Sequence, residues 1–290
     1  MEIILQIIIN SLVAGSIYGL VAVGFSLIYS TNRFAHFSHG GVIISSGYFL
    51  YWLTSSAGLP LILAAILTIL FAGLLGVFIN NLIYLPLRKR DASNSILLIA
   101  SVVTLTLLQA LLILLFGSGV KSLNFPWLHH SIGVSGAYIT PVQLLLVASS
   151  IVVLIVVSYI LKGTRLGKTL RAVADNPTLA ETVGIPKDTA YNWSFFIGSA
   201  IGGVAAIFIV LEQSLLPTMG ITLIIKGFAG AVIGGLGSVS GAIYGSLIIG
   251  AAENIGVWFF PSGYKDAITY ALLFAFLLVR PSGLLGRREP

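Results

Sequence analysis

Apolar and polar positions along this chain fall into long uncharged runs broken by short polar segments. At about 20 residues per membrane crossing, the runs predict spans over 4–29, 41–55, 60–85, 95–116, 141–161 and 190–211. A helical hairpin is predicted over 220–258, turning at Gly234-Gly-Leu-Gly-Ser238, and a last span over 266–279 is stopped by Arg280-Pro281. The second run is short and flanked by glycine, which predicts a tilted or broken helix.

The longest strongly polar segment is 162–187, KGTRLGKTLRAVADNPTLAETVGIPK. Leu166, Leu170 and Val173 recur at helical spacing. Asn176-Pro177 reads as a helix start with Pro at the first position, and Gly184 as its stop. Two short helices on the surface are therefore expected between two spans. Leu170, Val173, Leu179 and Val183 are expected to form one apolar face for a partner, with charges at its rim.

Composition supports the span reading. Hydrophobic residues make up 57% of the 290, charged residues 8%, and mean hydropathy is +1.05, whereas soluble domains carry about 25% charged residues. The expected fold is all-α: a single polytopic helical domain over 1–290 with about eight or nine membrane segments. The net charge of +6 does not indicate nucleic acid, because the basic residues sit between spans. Arg33, the run 88–90, the 162–187 segment, Arg280, Arg287 and Arg288 together hold 12 of the 15 Lys and Arg. The positive-inside rule places these on the cytoplasmic side. Nine crossings put the N-terminus outside and the C-terminus inside; one re-entrant segment would reduce the count to eight. The loop 117–140, poor in basic residues, is expected outside, with Trp127 and Tyr138 at the interface. No charged n-region precedes the first apolar run, so it is expected to be a retained helix rather than a cleaved signal. There is no cysteine, which removes disulfide and thiol chemistry.

Small residues mark where helices approach closely. Gly15 and Gly19 form such a face in the first span, and Gly198 and Gly202 form another in the sixth. Gly230 and Gly234 face Gly241 and Gly245 across the expected hairpin, with Gly235 and Gly237 in its turn.

Few residues carry chemistry. Gly163-Thr-Arg-Leu-Gly-Lys-Thr169 looks like a phosphate-binding loop, but it has three residues between its glycines where four are required, and no strand precedes it. His36 and His39 are either a metal pair lacking a third ligand or, the favoured reading, part of a polar turn between helices. His129-His130 reads as solvated loop. Glu253 and Asn254 fall inside a span, where an ionisable residue is either functional or paired; Glu212 and Lys226 are expected nearer the surface. With Ser38, these residues (His36, His39, Glu253, Asn254) are the candidates for a translocation path. No nucleophile–base pair is visible, so no enzyme activity is expected in this chain.

The chain resembles the inner-membrane permease subunits of branched-chain amino-acid ABC transporters. The resemblance rests on Gly15-Ser-Ile-Tyr-Gly-Leu-Val-Ala-Val-Gly24 and on Phe37-Ser-His-Gly40, similar to the family's "NFAHG" segment with His36 and Ser38 in place of Asn and Ala. It also rests on Gly167-Lys-Thr-Leu-Arg-Ala-Val-Ala-Asp-Asn-Pro177 with Gly184-Ile185, on Lys226-Gly-Phe-Ala-Gly-Ala-Val-Ile-Gly-Gly-Leu-Gly-Ser238 with Gly241-Ala242, on Tyr264-Lys-Asp-Ala267, and on Arg280-Pro-Ser-Gly-Leu-Leu-Gly286. It implies an importer half working with a second related permease, two cytoplasmic ATPase subunits that bind ATP and Mg, and an extracytoplasmic binding protein. No cofactor is then expected in this chain, and the location is the bacterial inner membrane. The 162–187 segment would be the ATPase-coupling element, carried by Gly167, Leu170, Arg171, Ala174, Asn176, Leu179 and Gly184. The substrate implied is a branched-chain or other neutral amino acid, with urea or short amides as the alternative. A stand-alone channel or secondary transporter, working without ATP, is the competing reading from another class.

Overall fold

In a computed structural model, residues 2–123, 125, 130–134 and 136–286 are described. Pro126, Trp127, His129, Arg287 and Arg288 lie outside the described residues. The chain is a polytopic helical bundle. In order it forms α1 (Glu2–Asn32), α2 (Ser38–Ser55), α3 (Leu61–Ile79), a π-helical turn (Asn80–Tyr84), α4 (Leu85–Arg88), α5 (Asn94–Phe116) and α6 (Pro141–Gly163). Then follow α7 (Arg165–Asp175), α8 (Pro177–Thr182), α9 (Lys187–Glu212), α10 (Met219–Gly234), α11 (Val239–Phe259) and α12 (Lys265–Val279). A small antiparallel hairpin, β1 (Ile132–Val134) with β2 (Ala137–Ile139), lies in the loop between α5 and α6.

Among the described residues, seven helical segments are long and apolar enough to cross a membrane. Two further helices, α2 and α10, lie within the bundle. At 16 residues and 1.5 Å per residue, α10 reaches about 24 Å, short of a hydrocarbon core of about 30 Å. The expected total of eight or nine thus resolves into seven long spans plus these two inner helices.

Helix α1 runs through the centre, packed on α11, α9, α10 and α6. On the outside, α5, α6 and α12 keep apolar side chains such as Leu114, Ile155 and Val279 exposed, as a lipid-facing shell requires. The third span is not one regular helix. Pro86 has no N–H to give to the preceding turn, and the ladder widens into the π turn just before it.

Both ends of the bundle are tied by specific bonds. At one end, Gln6 donates to the Tyr138 carbonyl (3.1 Å) and accepts from its N–H (2.8 Å), and Gln143 donates to Glu212 (2.7 Å). Arg33, the 88–91 turn and α7 gather at the other end, where Arg33 Nη2 donates to the Ala174 carbonyl (2.8 Å). The α10–α11 turn joins them there: Gly237 lies beside Ser30, and the backbone of Gly286 lies against Gly235. Among the described residues, Arg33, the 88–90 run and the α7 segment, assigned to one side by charge, thus share one end of the molecule.

Candidate functional site

Three polar features stand out from the apolar bundle. The first is the join between α1 and α2. The chain leaves α1 at Asn32, turns through Arg33 with φ +58°, and re-enters the bundle before α2 starts. His39, in the first turn of α2, lies against Gly24 of α1 and Gly202 of α9. Gly24 is two turns short of the end of α1, about 12 Å along it, so α2 begins beneath the surface. The second run, expected to be tilted or broken, is instead one unbroken helix, Ser38–Ser55; what is unusual is where it begins. Here Gly40 backs directly onto the Gly220 carbonyl at the start of α10, a contact that leaves no room for a side chain.

His36, Ser38 and His39 are all fully buried at this join. Tyr84, from the π turn, organises the first two. Its hydroxyl lies 2.7 Å from Ser38 Oγ and 3.1 Å from His36 Nδ1. Phe34 and Phe195 enclose the group, with Phe195 edge-on to His36 at 4.8 Å between centroids. Among the described residues neither ring nitrogen of His39 meets full hydrogen-bond geometry, an arrangement that buried polar groups rarely keep, although the Val21 backbone lies within reach of the ring. Among the described residues no group of three or more His, Cys, Asp or Glu could hold a metal; the His36 and His39 rings are 6.2 Å apart, His36 in the join and His39 in the first turn of α2.

Glu253 belongs to a second, separate feature. It is 1% exposed and accepts three bonds: from Tyr18 of α1 (2.8 Å), from Thr269 of α12, and from Lys226 Nζ of α10 (2.9 Å). Lys226 also reaches Asp266 of α12 (2.9 Å) and the Tyr18 hydroxyl (3.2 Å). Expected nearer the surface, Lys226 is instead 7% exposed, because carboxylates from two later helices converge on it. The pairing that one of the two readings of Glu253 expected is present. Asn254, its neighbour, is half-buried and spends its amide on the Gly250 carbonyl of its own helix (2.8 Å). Neither residue joins the His36–Ser38–His39 group.

The third feature is the α7–α8 segment. Thr164 caps α7 by accepting from the Gly167 N–H (3.1 Å). Gly167 rests on the last carbonyls of α6, leaving no space for a Cβ. Asn176 Oδ1 accepts from the N–H groups of Thr178 and Leu179, each at 3.0 Å, and so starts α8. Gly184, at φ +83°, ends it, with the Ile185 N–H returning to the Ala180 carbonyl. The apolar positions divide. Leu170 and Val173 are buried against Ala180, Ala190 and Tyr191, so they belong to this chain's own core and are not a surface for a partner. Leu179 and Val183 are 63% and 75% exposed, and Arg171 is exposed beside them in sequence. Ala174 contributes its carbonyl to Arg33.

Between α7–α8 and the 88–94 turn lies an open cleft of about 590 Å³, lined by Asn32, Arg33, Arg88, Asp91, Asp175 and Tyr191 among others. Tyr84, Tyr18 and Thr269 were not singled out by sequence, and Arg88 only as part of a basic run on the cytoplasmic side. Their only signal is a polar residue within or next to an apolar run, which does not say which partner it meets.

The glycines of the hairpin are in backbone contact. Gly234 meets Gly241, and Gly230 meets Gly245 and Ser246. Gly15 and Gly19 pack on Leu247 and Ser246 of α11, and Gly198 packs on Gly24 of α1.

A family model described as "Branched-chain amino acid transport system / permease component" matches residues 7–277. The chain belongs to this permease family. The permease is 31% identical to the high-affinity branched-chain amino acid transport system permease protein BraD of Pseudomonas aeruginosa, across 98% of this chain and 96% of that one. It is 30% identical to LivH of Escherichia coli K12, with the same coverage. A probable LivH from Methanocaldococcus jannaschii is also 30% identical, over 97% of this chain and 92% of that one. In fold, the permease is similar to PsaBC from Streptococcus pneumoniae in complex with Fab, with a TM-score of 0.53 at 16% identity, over 94% of this chain and 91% of that one. The permease is thus a multi-span transport component and not an enzyme.

Proposed function

We propose that this chain is one permease subunit of an ATP-driven importer in the bacterial inner membrane, carrying branched-chain or other neutral amino acids inward. Similarity over nearly the full length to BraD and LivH carries this reading. Its partners are a second related permease, two cytoplasmic ATPase subunits that supply ATP and Mg binding, and an extracytoplasmic binding protein. The C-terminus lies in the cytoplasm, which the gathering of basic segments at one end supports. Exposed Leu179 and Val183, with Arg171, offer α7–α8 as the ATPase-coupling surface; Gly167, Leu170, Ala174, Asn176 and Gly184 hold that element in shape. His36, Ser38 and His39 are assigned to the translocation path, because buried polar groups at the join between α1 and α2, inside the bundle, are what a polar solute would need. Glu253 and Asn254, the other two candidates for that path, are assigned to holding α11 in place.

Reconstitution tests the reading. The permease, its related partner, the ATPases and the binding protein are placed in vesicles and leucine uptake is measured. ATP-dependent uptake that requires the binding protein is expected. Uptake without ATP, or binding-protein specificity for urea or a short amide instead of leucine, would overturn it.

A further inference from the structure

Arg88 joins two of the features described above. Its Nη2 donates to Asn32 Oδ1 at 2.7 Å, at the point where α1 gives way to the α1–α2 join. Its guanidinium lies over the Tyr191 ring at 4.2 Å and over the Phe34 ring at 5.4 Å. Tyr191, with Ala190, is where α9 joins Leu170 and Val173 of α7 in one buried cluster. Phe34 touches Tyr84 at 5.0 Å between centroids, and Tyr84 holds His36 and Ser38. Arg88 and Tyr84 are also one helical turn apart on the same short stretch, so they share a face. Asn32 is further fixed to α9 by its bond to Ser194 (2.8 Å). A half-buried cation, clamped between one ring that supports α7 and another that supports the polar join, is costly to keep where apolar side chains would pack as well.

We infer that Arg88 is a positioning residue that links the α7–α8 element to the buried His36–Ser38 join, so that displacement of α7 is passed to the join through Tyr191, the Arg88 guanidinium, and Phe34 with Asn32. This rests on the reading of α7–α8 as the coupling element. The planar guanidinium suits the role, because it stacks on a ring face and donates in its plane at the same time; a lysine ammonium cannot do both. Arg33 ties the same two places more directly, through Ala174.

The test is substrate moved per ATP hydrolysed by the reconstituted importer, with thermal stability measured alongside. Arg88→Lys and Tyr191→Leu are expected to lower that ratio about 2- to 30-fold, the span typical of substitutions along a coupling network. Tyr191→Phe, which keeps the ring face, is expected to restore it. If Arg88→Lys lowers melting temperature, hydrolysis and uptake together at an unchanged ratio, Arg88 only supports the fold and the inference is overturned. An unchanged ratio with unchanged stability also overturns it. The coupling reading is tested separately by Arg171→Ala with Leu179→Ala. If that pair loses ATPase docking while Arg88→Lys keeps a normal ratio, only the link fails; if the pair docks normally, the reading beneath it fails.

Discussion

Replacing Lys226 by Met removes the cation from a site where two carboxylates meet. Methionine fits the volume, so the loss is electrostatic. The Glu253 side chain is 1% exposed and would keep its Tyr18 and Thr269 donors, but no cation. Breaking a buried pair in this way costs about 3–5 kcal/mol. The Asp266 side chain is half exposed and regains water, so its share is about 0–1 kcal/mol. Nearly all of the loss is thus assigned to the uncompensated Glu253. Adding Glu253→Gln removes that charge; its amide oxygen still accepts from one hydroxyl, and the other hydroxyl can turn to accept from the amide NH2, so the double variant should recover most of the stability. Asn254→Ala is the control, because it removes one bond within a helix, worth about 1 kcal/mol. Thermal unfolding of the detergent-solubilised protein, followed by tryptophan fluorescence, should rank the losses as Lys226→Met greatest, then the double variant, then Asn254→Ala. A double variant no more stable than Lys226→Met would refute the reasoning, as would a Lys226→Met loss equal to that of the control.

Other expectations concern the surface and the turns. A cysteine introduced at Ser93 or Thr178, in a chain with no native cysteine, should stay unlabelled by a membrane-impermeant reagent in intact cells and react in inverted vesicles; labelling in intact cells would reverse the topology. Gly235→Leu should prevent normal assembly, since Gly235 has φ +108° and faces the Gly286 backbone; wild-type expression and uptake would show that the turn has room. Arg171→Ala with Leu179→Ala should reduce pull-down of the ATPase subunits while leaving melting temperature within about a degree of wild type, because surface substitutions away from packing contacts change stability by about 0.5 kcal/mol or less.

The α-helical class and most boundaries were legible because a membrane span is a strong, local signal: the run 141–161 became α6 and 95–116 became α5 with shifts of a residue or two. The Asn176 cap and the Gly184 stop were legible for the same reason, as each is settled by its own few residues. What could not be read is what depends on distant partners. Lys226 looks like a surface lysine until Glu253 and Asp266 are known to reach it. Leu170 and Leu179 look alike in sequence, yet Tyr191 covers one and leaves the other bare. The π turn before Pro86 follows from proline chemistry, but its placing of Tyr84 next to Ser38 does not.

The end of α10 is completed from far along the chain. Its carbonyls at Ile233 and Gly234 accept the N–H groups of Leu284 and Leu285, at 2.8 and 2.9 Å. A helix normally finds its closing partners within a few residues; here they emerge from the ribosome only after α11 and α12 have been made. During synthesis, then, the inner hairpin can form its glycine contacts early but cannot close its end until the outer helix has been inserted beside it. Biogenesis of this bundle thus has an order built into its hydrogen bonds, and the segment around 284–285 is a seal as much as a tail.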